Sequence, residues 1–246
     1  MRIAVIADVH GNRLALEAVL AHIESAKVDL IANLGDLVSG PFDPAGAADL
    51  QMSIEAQTIS GNHERQVLEG SAIPSDIIAR STLSNVHVDW IASLPKTLSL
   101  ANGEVFACHG SPAGGDLEYL LEDVRSGAPV LDTEANIRAR IKGIGGARVV
   151  LCAHTHIPRV VTVDGILIVN PGSAGFPAYR DETPVPHAME TGSPLARYAF
   201  IEKVASEWTA ELRAVPYDFE AAAVQAERHG RPVGAHIVRT GRVPPI

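Results

Sequence analysis

At 246 residues the chain is about one and a half times the ~150-residue domain prior, long enough to bury a sizeable core. Hydrophobic residues at 46% and charged residues at 20% exclude a disordered, collagen-like or disulfide-scaffold protein. The 29 acids against 20 Lys and Arg give a formal net charge of -9, so most of the surface repels phosphate backbones and non-specific nucleic-acid binding is not expected.

The chain opens with a continuously apolar run at residues 3–7, the form of a strand buried on both faces. Asn12 can cap a helix over residues 12–26, where Leu16, Val19, Leu20 and Ile23 share one face, and residues 30–32 supply the next buried strand. A Gly/Pro-rich loop at 40–46 precedes helical stretches near 44–54 and 74–94, with a weaker strand at 57–60 between them. The run at 105–108 is a third buried strand, followed by a Gly-rich loop at 110–116 and an amphipathic helix over 118–122. A helix near 133–142 leads to apolar strands at 149–153 and 166–169, the latter paired with 160–163 across the turn Asp164-Gly165. Residues 171–194 contain five prolines and form a long loop, a candidate lid. A second hairpin spans 197–202 and 207–214, and Asp218 caps a final helix with Phe219, Ala222, Ala223 and Ala226 on one face. Beyond it, Arg228, Arg231, Arg239 and Arg242 read as a solvated basic tail. No repeat and no flexible linker divides the chain, so a single domain over 1–246 is expected. No run reaches the ~18 apolar residues of a membrane span and no signal peptide is visible, which predicts a cytoplasmic protein without a membrane partner. Cys108 and Cys152 lie in apolar runs and are expected to be buried, reduced thiols.

Chemistry gathers where the strands end, the place at which open α/β sheets collect ligands. Asp8 and His10 follow the first run and Asp36 the second; Gly61-Asn62-His63-Glu64, His109-Gly110 and His154-Thr155-His156 follow the others. Each piece alone is a weak signal, since Asp-x-His and His-x-His arise by chance. Together they offer carboxylates, imidazoles and an amide oxygen, a set suited to borderline divalent ions and unlike a thiolate site. Seven nitrogen or oxygen ligands are too many for one tetrahedral ion, so two ions sharing a ligand are expected. The other histidines, His22, His87, His187, His229 and His236, show no ligand spacing and read as surface or locally bonded groups.

In this order the blocks Asp8-x-His10, Gly35-Asp36, Gly61-Asn62-His63-Glu64, His109-Gly110 and His154-x-His156 resemble those of the calcineurin-like metallophosphoesterase superfamily, over about residues 1–175. Gly40-Pro41, His109-Gly110-Ser111-Pro112 and Asn170-Pro171-Gly172-Ser173 are similar to its small prokaryotic phosphodiesterase branch. The resemblance implies a four-layer αββα sandwich of two mixed sheets with the metal site at the C-terminal edge of the strands. It assigns one ion to Asp8, His10 and His156 and the other to Asn62, His109 and His154, with Asp36 bridging and His63 beside the metals as a catalytic group. The implied cofactors are two divalent ions drawn from Mn, Fe, Ni or Zn. The implied reaction is hydrolysis of a small phosphodiester or phosphomonoester, nucleotides and dinucleoside polyphosphates included, by hydroxide generated between the ions. A scaffold that binds proteins on the same fold is the alternative. Where the phosphoprotein phosphatase branch carries Gly-Asp-x-x-Asp-Arg-Gly, this chain has Ser39 and Gly40 in place of the Asp that supports the catalytic His and the Arg that grips phosphate. A phosphate-binding cation is therefore sought among Arg13, Arg65 and Arg180.

Overall fold

The computed structural model describes residues 1–245 and begins with a strand, helix, strand unit: β1 (Arg2–Ile6), α1 (Arg13–Glu24) and β2 (Leu30–Asn33). The Ala15 N–H donates to Asn12 Oδ1 at 3.1 Å, so the expected cap sets where α1 starts. α2 (Pro44–Ser53) and β3 (Ala56–Thr58) continue the unit; three helices follow, α3 (Asn62–Glu69), α4 (Pro74–Thr82) and α5 (Asn85–Ser93). β4 (Thr97–Leu100) and β5 (Val105–Cys108) open a second sheet, and the short pair β6 (Glu122–Asp123) and β7 (Val130–Leu131) leads to α6 (Glu134–Arg140). That sheet is completed by β8 (Val149–Leu151), β9 (Arg159–Val163) and β10 (Ile166–Asn170). A separate hairpin, β11 (Ala178–Asp181) and β12 (His187–Glu190), precedes β13 (Ala196–Val204) and β14 (Glu207–Val215), and α7 (Phe219–Arg228) and α8 (Pro232–Thr240) end the chain.

The first sheet has the order β14-β13-β1-β2-β3 and the second β4-β5-β8-β10-β9. In each, three parallel strands carry antiparallel neighbours, β13 and β14 in the first, β4 and β9 in the second, so both sheets are mixed. Ile3, Val5 and Ala7 from one sheet meet Val105, Val149, Leu151 and Val169 from the other, all but free of solvent. The opposite face of β1, Ala4 and Ile6, packs on Leu16, Val19 and Ile23 of α1, while Val150 and Ile168 pack on Ile137 and Ile141 near α6. The result is an αββα sandwich. Strands covered on both faces explain the continuous apolar runs, each large aliphatic side chain contributing about 1.5–3 kcal/mol of burial. Cys108 and Cys152 are buried and free, and no helix among the described residues is long and apolar enough to cross a membrane.

Four local expectations need correction. The stretch 74–94 is two helices, because Leu83 is extended and Ser84 Oγ accepts the His87 N–H to start a new one. Residues 118–122 are not helical: Leu120 and Leu121 are both buried against Ile137 and Ile141, and Arg140 donates to the Leu120 carbonyl, which holds the backbone open toward β6. The basic tail is largely α8, which buries Gly234, Ala235, Ile237 and Val238 between its arginines. Gly234 lies against Pro41, where an added Cβ would come within 2.8 Å of the ring, so α8 is seated beside the 40–46 loop. The loop 171–194 contains the β11–β12 hairpin and is thus structured rather than open chain.

Candidate metal centre

The parallel strands β1, β2, β3, β5 and β8 end on one rim, and the segments that leave them are stitched to one another. Asp8 N–H donates to Gly35 O at 3.0 Å, His10 N–H to Asp36 O at 2.9 Å, and Ala153 N–H to His109 O at 2.7 Å. Asp8, His10, Asp36, His154 and His156 all have positive φ, between 49° and 68°. Non-glycine residues enter that region only where their surroundings impose it, and such strain collects at functional sites. Gly35, at φ 94°, touches the segment after β3 so closely that a Cβ there would strike the Gly61 backbone.

All seven predicted donors converge. Asp8, His10 and His156 present ligand atoms within 4.8 Å of one another, as do Asp36, His109 and His154; His10, Asp36 and His63 form a third such group that links the two. Asn62, the first residue of α3, places Oδ1 3.1 Å from His109 Nε2, and Asp36 Oδ2 is 3.3 Å from the same nitrogen. Three of the imidazoles are oriented alike. His10, His109 and His156 donate Nδ1–H to the carbonyls of Ser39, Leu34 and Phe176 at 2.7, 2.7 and 2.5 Å, leaving Nε2 for the interior. That is how a second partner fixes the tautomer of a metal-ligating histidine.

Electrostatics show what the cluster lacks on its own. Burial, helped by Asp36 and opposed by His109, pushes the Asp8 carboxyl well above its usual range, and neither Asp8 oxygen has a hydrogen-bond partner. Burial also resists ionisation of Asp36, but His109 and His63 outweigh it and hold that carboxyl well below the usual range. Burial likewise lowers His109, yet Asp36 raises it to about 10; His10 falls to about 4 and His154 to about 3, burial dominating in both. Nε2 of His10 and of His156 stand 3.1 Å apart. Buried carboxylate oxygens without donors and inward lone pairs are costly unless a cation meets them. Oxygen and imidazole donors in this arrangement fit borderline divalent ions.

His63 stands beside the cluster, its ring 5.2 Å from that of His10 and its side chain 19% exposed. Its Nδ1 is 2.8 Å from Asp76 Oδ1, and Ser39 Oγ donates to the same oxygen at 2.5 Å. Burial works against the imidazolium, but Asp36 and Asp76 prevail and raise His63 to about 8. Ser39, the apparent departure at the motif, is thus a link to a carboxylate supplied by α4. Nothing in the sequence marks Asp76, since an acid after Pro74-Ser75 reads as an ordinary first-turn charge. Two tyrosines flank the cluster: Tyr179 donates to the His154 carbonyl at 3.0 Å and lies against His156, and the Tyr119 ring, from the segment after the 110–116 loop, lies 5.2 Å from that of His154. His187 is the locally bonded kind of histidine: it is buried, with Nδ1 2.7 Å from the Val185 carbonyl and Nε2 3.1 Å from the Tyr119 hydroxyl.

Glu64 is the remaining organiser. Its two oxygens accept the N–H groups of Gly61 and Asp36, both at 2.8 Å, and of Leu37 at 2.7 Å, with the side chain fully buried. Glu64→Gln turns an amide donor toward these donors and leaves at least one without an acceptor, at roughly 1–3 kcal/mol for each. Urea unfolding of the metal-free variant should show a loss of about 2 kcal/mol or more; a midpoint equal to that of the wild type would remove Glu64 from this role.

The calcineurin-like phosphoesterase superfamily domain matches residues 1–191 of the chain. An uncharacterized protein of Methanocaldococcus jannaschii is 25% identical over 201 residues, which are 71% of this chain and 76% of that protein. The crystal structure of a metallophosphoesterase from Sphaerobacter thermophilus is similar over 98% of this chain and 100% of its own, at 25% identity and a TM-score of 0.74. A hypothetical protein of Pyrococcus horikoshii OT3 shares the fold over 98% of both chains, at 19% identity and a TM-score of 0.77.

Proposed function

The chain belongs to the calcineurin-like phosphoesterase superfamily, and we propose that it hydrolyses small phosphodiesters or phosphomonoesters with two divalent ions, Mn, Fe, Ni or Zn, held at the strand rim. The observation that carries this reading is the convergence of the two buried ligand groups around Asp36, with both oxygens of Asp8 lacking a donor. One ion would be held by Asp8, His10 and His156 and the other by Asn62, His109 and His154, with Asp36 shared between them. Divalent ions, when bound, supply charge neutralisation at the phosphoryl oxygens and a water acidic enough to attack at neutral pH.

The chain's own catalytic group is His63. Its Nδ1–H is held by Asp76, which leaves Nε2 for the cleft. A protonated ring there stabilises charge on the phosphoryl group and gives its Nε2 proton to the departing alcohol, a role worth typically ~10²–10⁴-fold. The substrates in this reading are small phosphorylated molecules, nucleotides and dinucleoside polyphosphates among them, in the cytoplasm, where buried free thiols persist. A purely scaffolding role is disfavoured because every donor of the set is present and oriented inward.

The test is reconstitution of metal-free protein with Mn(II), Fe(II), Ni(II) or Zn(II), followed by hydrolysis of bis-p-nitrophenyl phosphate, p-nitrophenyl phosphate and nucleotides. Activity should appear only with metal and rise to a plateau near two ions per chain. Tight loading with no turnover of any ester would favour the scaffold, and failure to load any of the four metals would sink the proposal.

A further inference from the structure

The ligand cluster lies at the base of a cleft of about 510 Å³ whose lining residues include two cations, Arg180 and Arg231. Neither comes from the strand rim: Arg180 is on β11 and Arg231 immediately precedes α8. The other candidate arginines are engaged elsewhere, Arg13 with Glu17 at 2.7 Å and Arg65 with Asp116 at 2.8 Å. Gly40 rules out a cation at the phosphatase-type position, because a Cβ there would collide with the carbonyl of His10. Any arginine that grips substrate in this cleft is therefore Arg180 or Arg231.

Their placement separates them from the reacting phosphorus. The predicted metal ligands are all buried, whereas Arg180 is exposed and Arg231 half-buried, so the two arginines belong to the outer part of the cleft. Arg180 is steadied by the carbonyl of Pro244 at 3.1 Å. Among the described residues the Arg231 guanidinium makes no hydrogen bond or ion pair, and the residue lines the cleft. The lining also carries Ile73, Leu117, Phe176, Val233 and Ile237, apolar surface for an uncharged body of nucleoside size, and one outer carboxylate, Asp181.

We propose that Arg231, assisted by Arg180, forms a second anion subsite that takes a phosphate carried by the substrate at a distance from the scissile phosphorus. The preferred substrate is then a phosphoester bearing a further phosphate across an apolar or aromatic body. This rests on the phosphoesterase reading for the position of the first phosphate. A charge-assisted guanidinium–phosphate contact at a partly exposed site gives about tenfold in affinity.

Calorimetric titration of Mn(II)-reconstituted protein with phosphonate analogues, whose P–C bonds are not hydrolysed, tests the subsite without turnover. The bisphosphonate analogue of thymidine 3′,5′-bisphosphate should bind about tenfold more tightly than the phosphonate analogue of thymidine 5′-monophosphate; the ratio should fall to near one in Arg231→Gln and be largely retained in Arg231→Lys. Equal affinities in the wild type, or a preference that survives intact in Arg231→Gln, would overturn the subsite. Thermal unfolding of each variant checks that it is folded, and the wild-type comparison needs no variant. Hydrolysis of thymidine 5′-(p-nitrophenyl phosphate) with and without a 3′-phosphate separates the two readings. Absence of hydrolysis with the binding ratio intact removes the esterase assignment and leaves the subsite standing.

Discussion

Asp36→Asn is expected to lower metal content and turnover together, with apparent metal affinity falling by at least about 100-fold. Altering a partner of a ligand costs roughly 10–100-fold in affinity, and Asp36 is proposed as a ligand shared by both ions. Its Oδ2 lies 3.3 Å from His109 Nε2 and 3.8 Å from His10 Nε2, so it is the atom common to both halves of the cluster. The substitution removes a buried charge and can turn an amide N–H₂ toward donors that already point inward. Its other oxygen, which accepts the His63 N–H at 3.0 Å, is retained by an asparagine that keeps Oδ1 in place, so α3 should stay seated. Elemental analysis after desalting, with hydrolysis measured on the same sample, decides the matter. Two ions per chain and wild-type rates in the variant would remove Asp36 from the centre of the site.

The convergence of these side chains was legible because strands buried on both faces announce themselves as apolar runs, and polar residues directly after such runs can only sit at the sheet edge. Asp8, Asp36, His109 and His154 all follow that rule. The positive φ of five of these loop residues is not written in their types, since aspartate and histidine take many conformations; the stitching of one loop to another imposes it. Asp76 was hidden for a different reason. It reaches His63 from a helix 13 residues further on, through a contact that exists only once α4 packs on α3. The end of the chain misled because arginines at 228, 231, 239 and 242 masked the helical spacing of Ala235, Val238 and Ile237, and an amphipathic helix with a charged outer face shares its composition with a solvated tail.

His63→Ala is expected to reduce kcat by ~10²–10⁴-fold while both ions remain bound, the reverse of the Asp36→Asn signature. The difference follows from position: His63 is tied to Asp76, which also accepts the Ser39 hydroxyl, and its loss deletes no donor from the Asp8–His10–His156 group or the Asp36–His109–His154 group. Asp76→Asn tests how the ring is held. Its carboxylate keeps the proton on Nδ1 and, after Asp36, is the next influence raising His63 to about 8 against burial. A general acid works below its own pKa, so removing that carboxylate should move the alkaline limb of the pH–rate profile to lower pH. In addition kcat should fall roughly 10-fold or more with little change in KM, since a ring freed at Nδ1 spends less time with Nε2 aimed at the leaving oxygen. A merely structural role for Asp76 would lower the thermal midpoint and leave the pH limb where it was. An unshifted limb together with unchanged kcat would mean that the Ser39–Asp76–His63 chain serves packing alone, and that protonation of the leaving alcohol comes from another group.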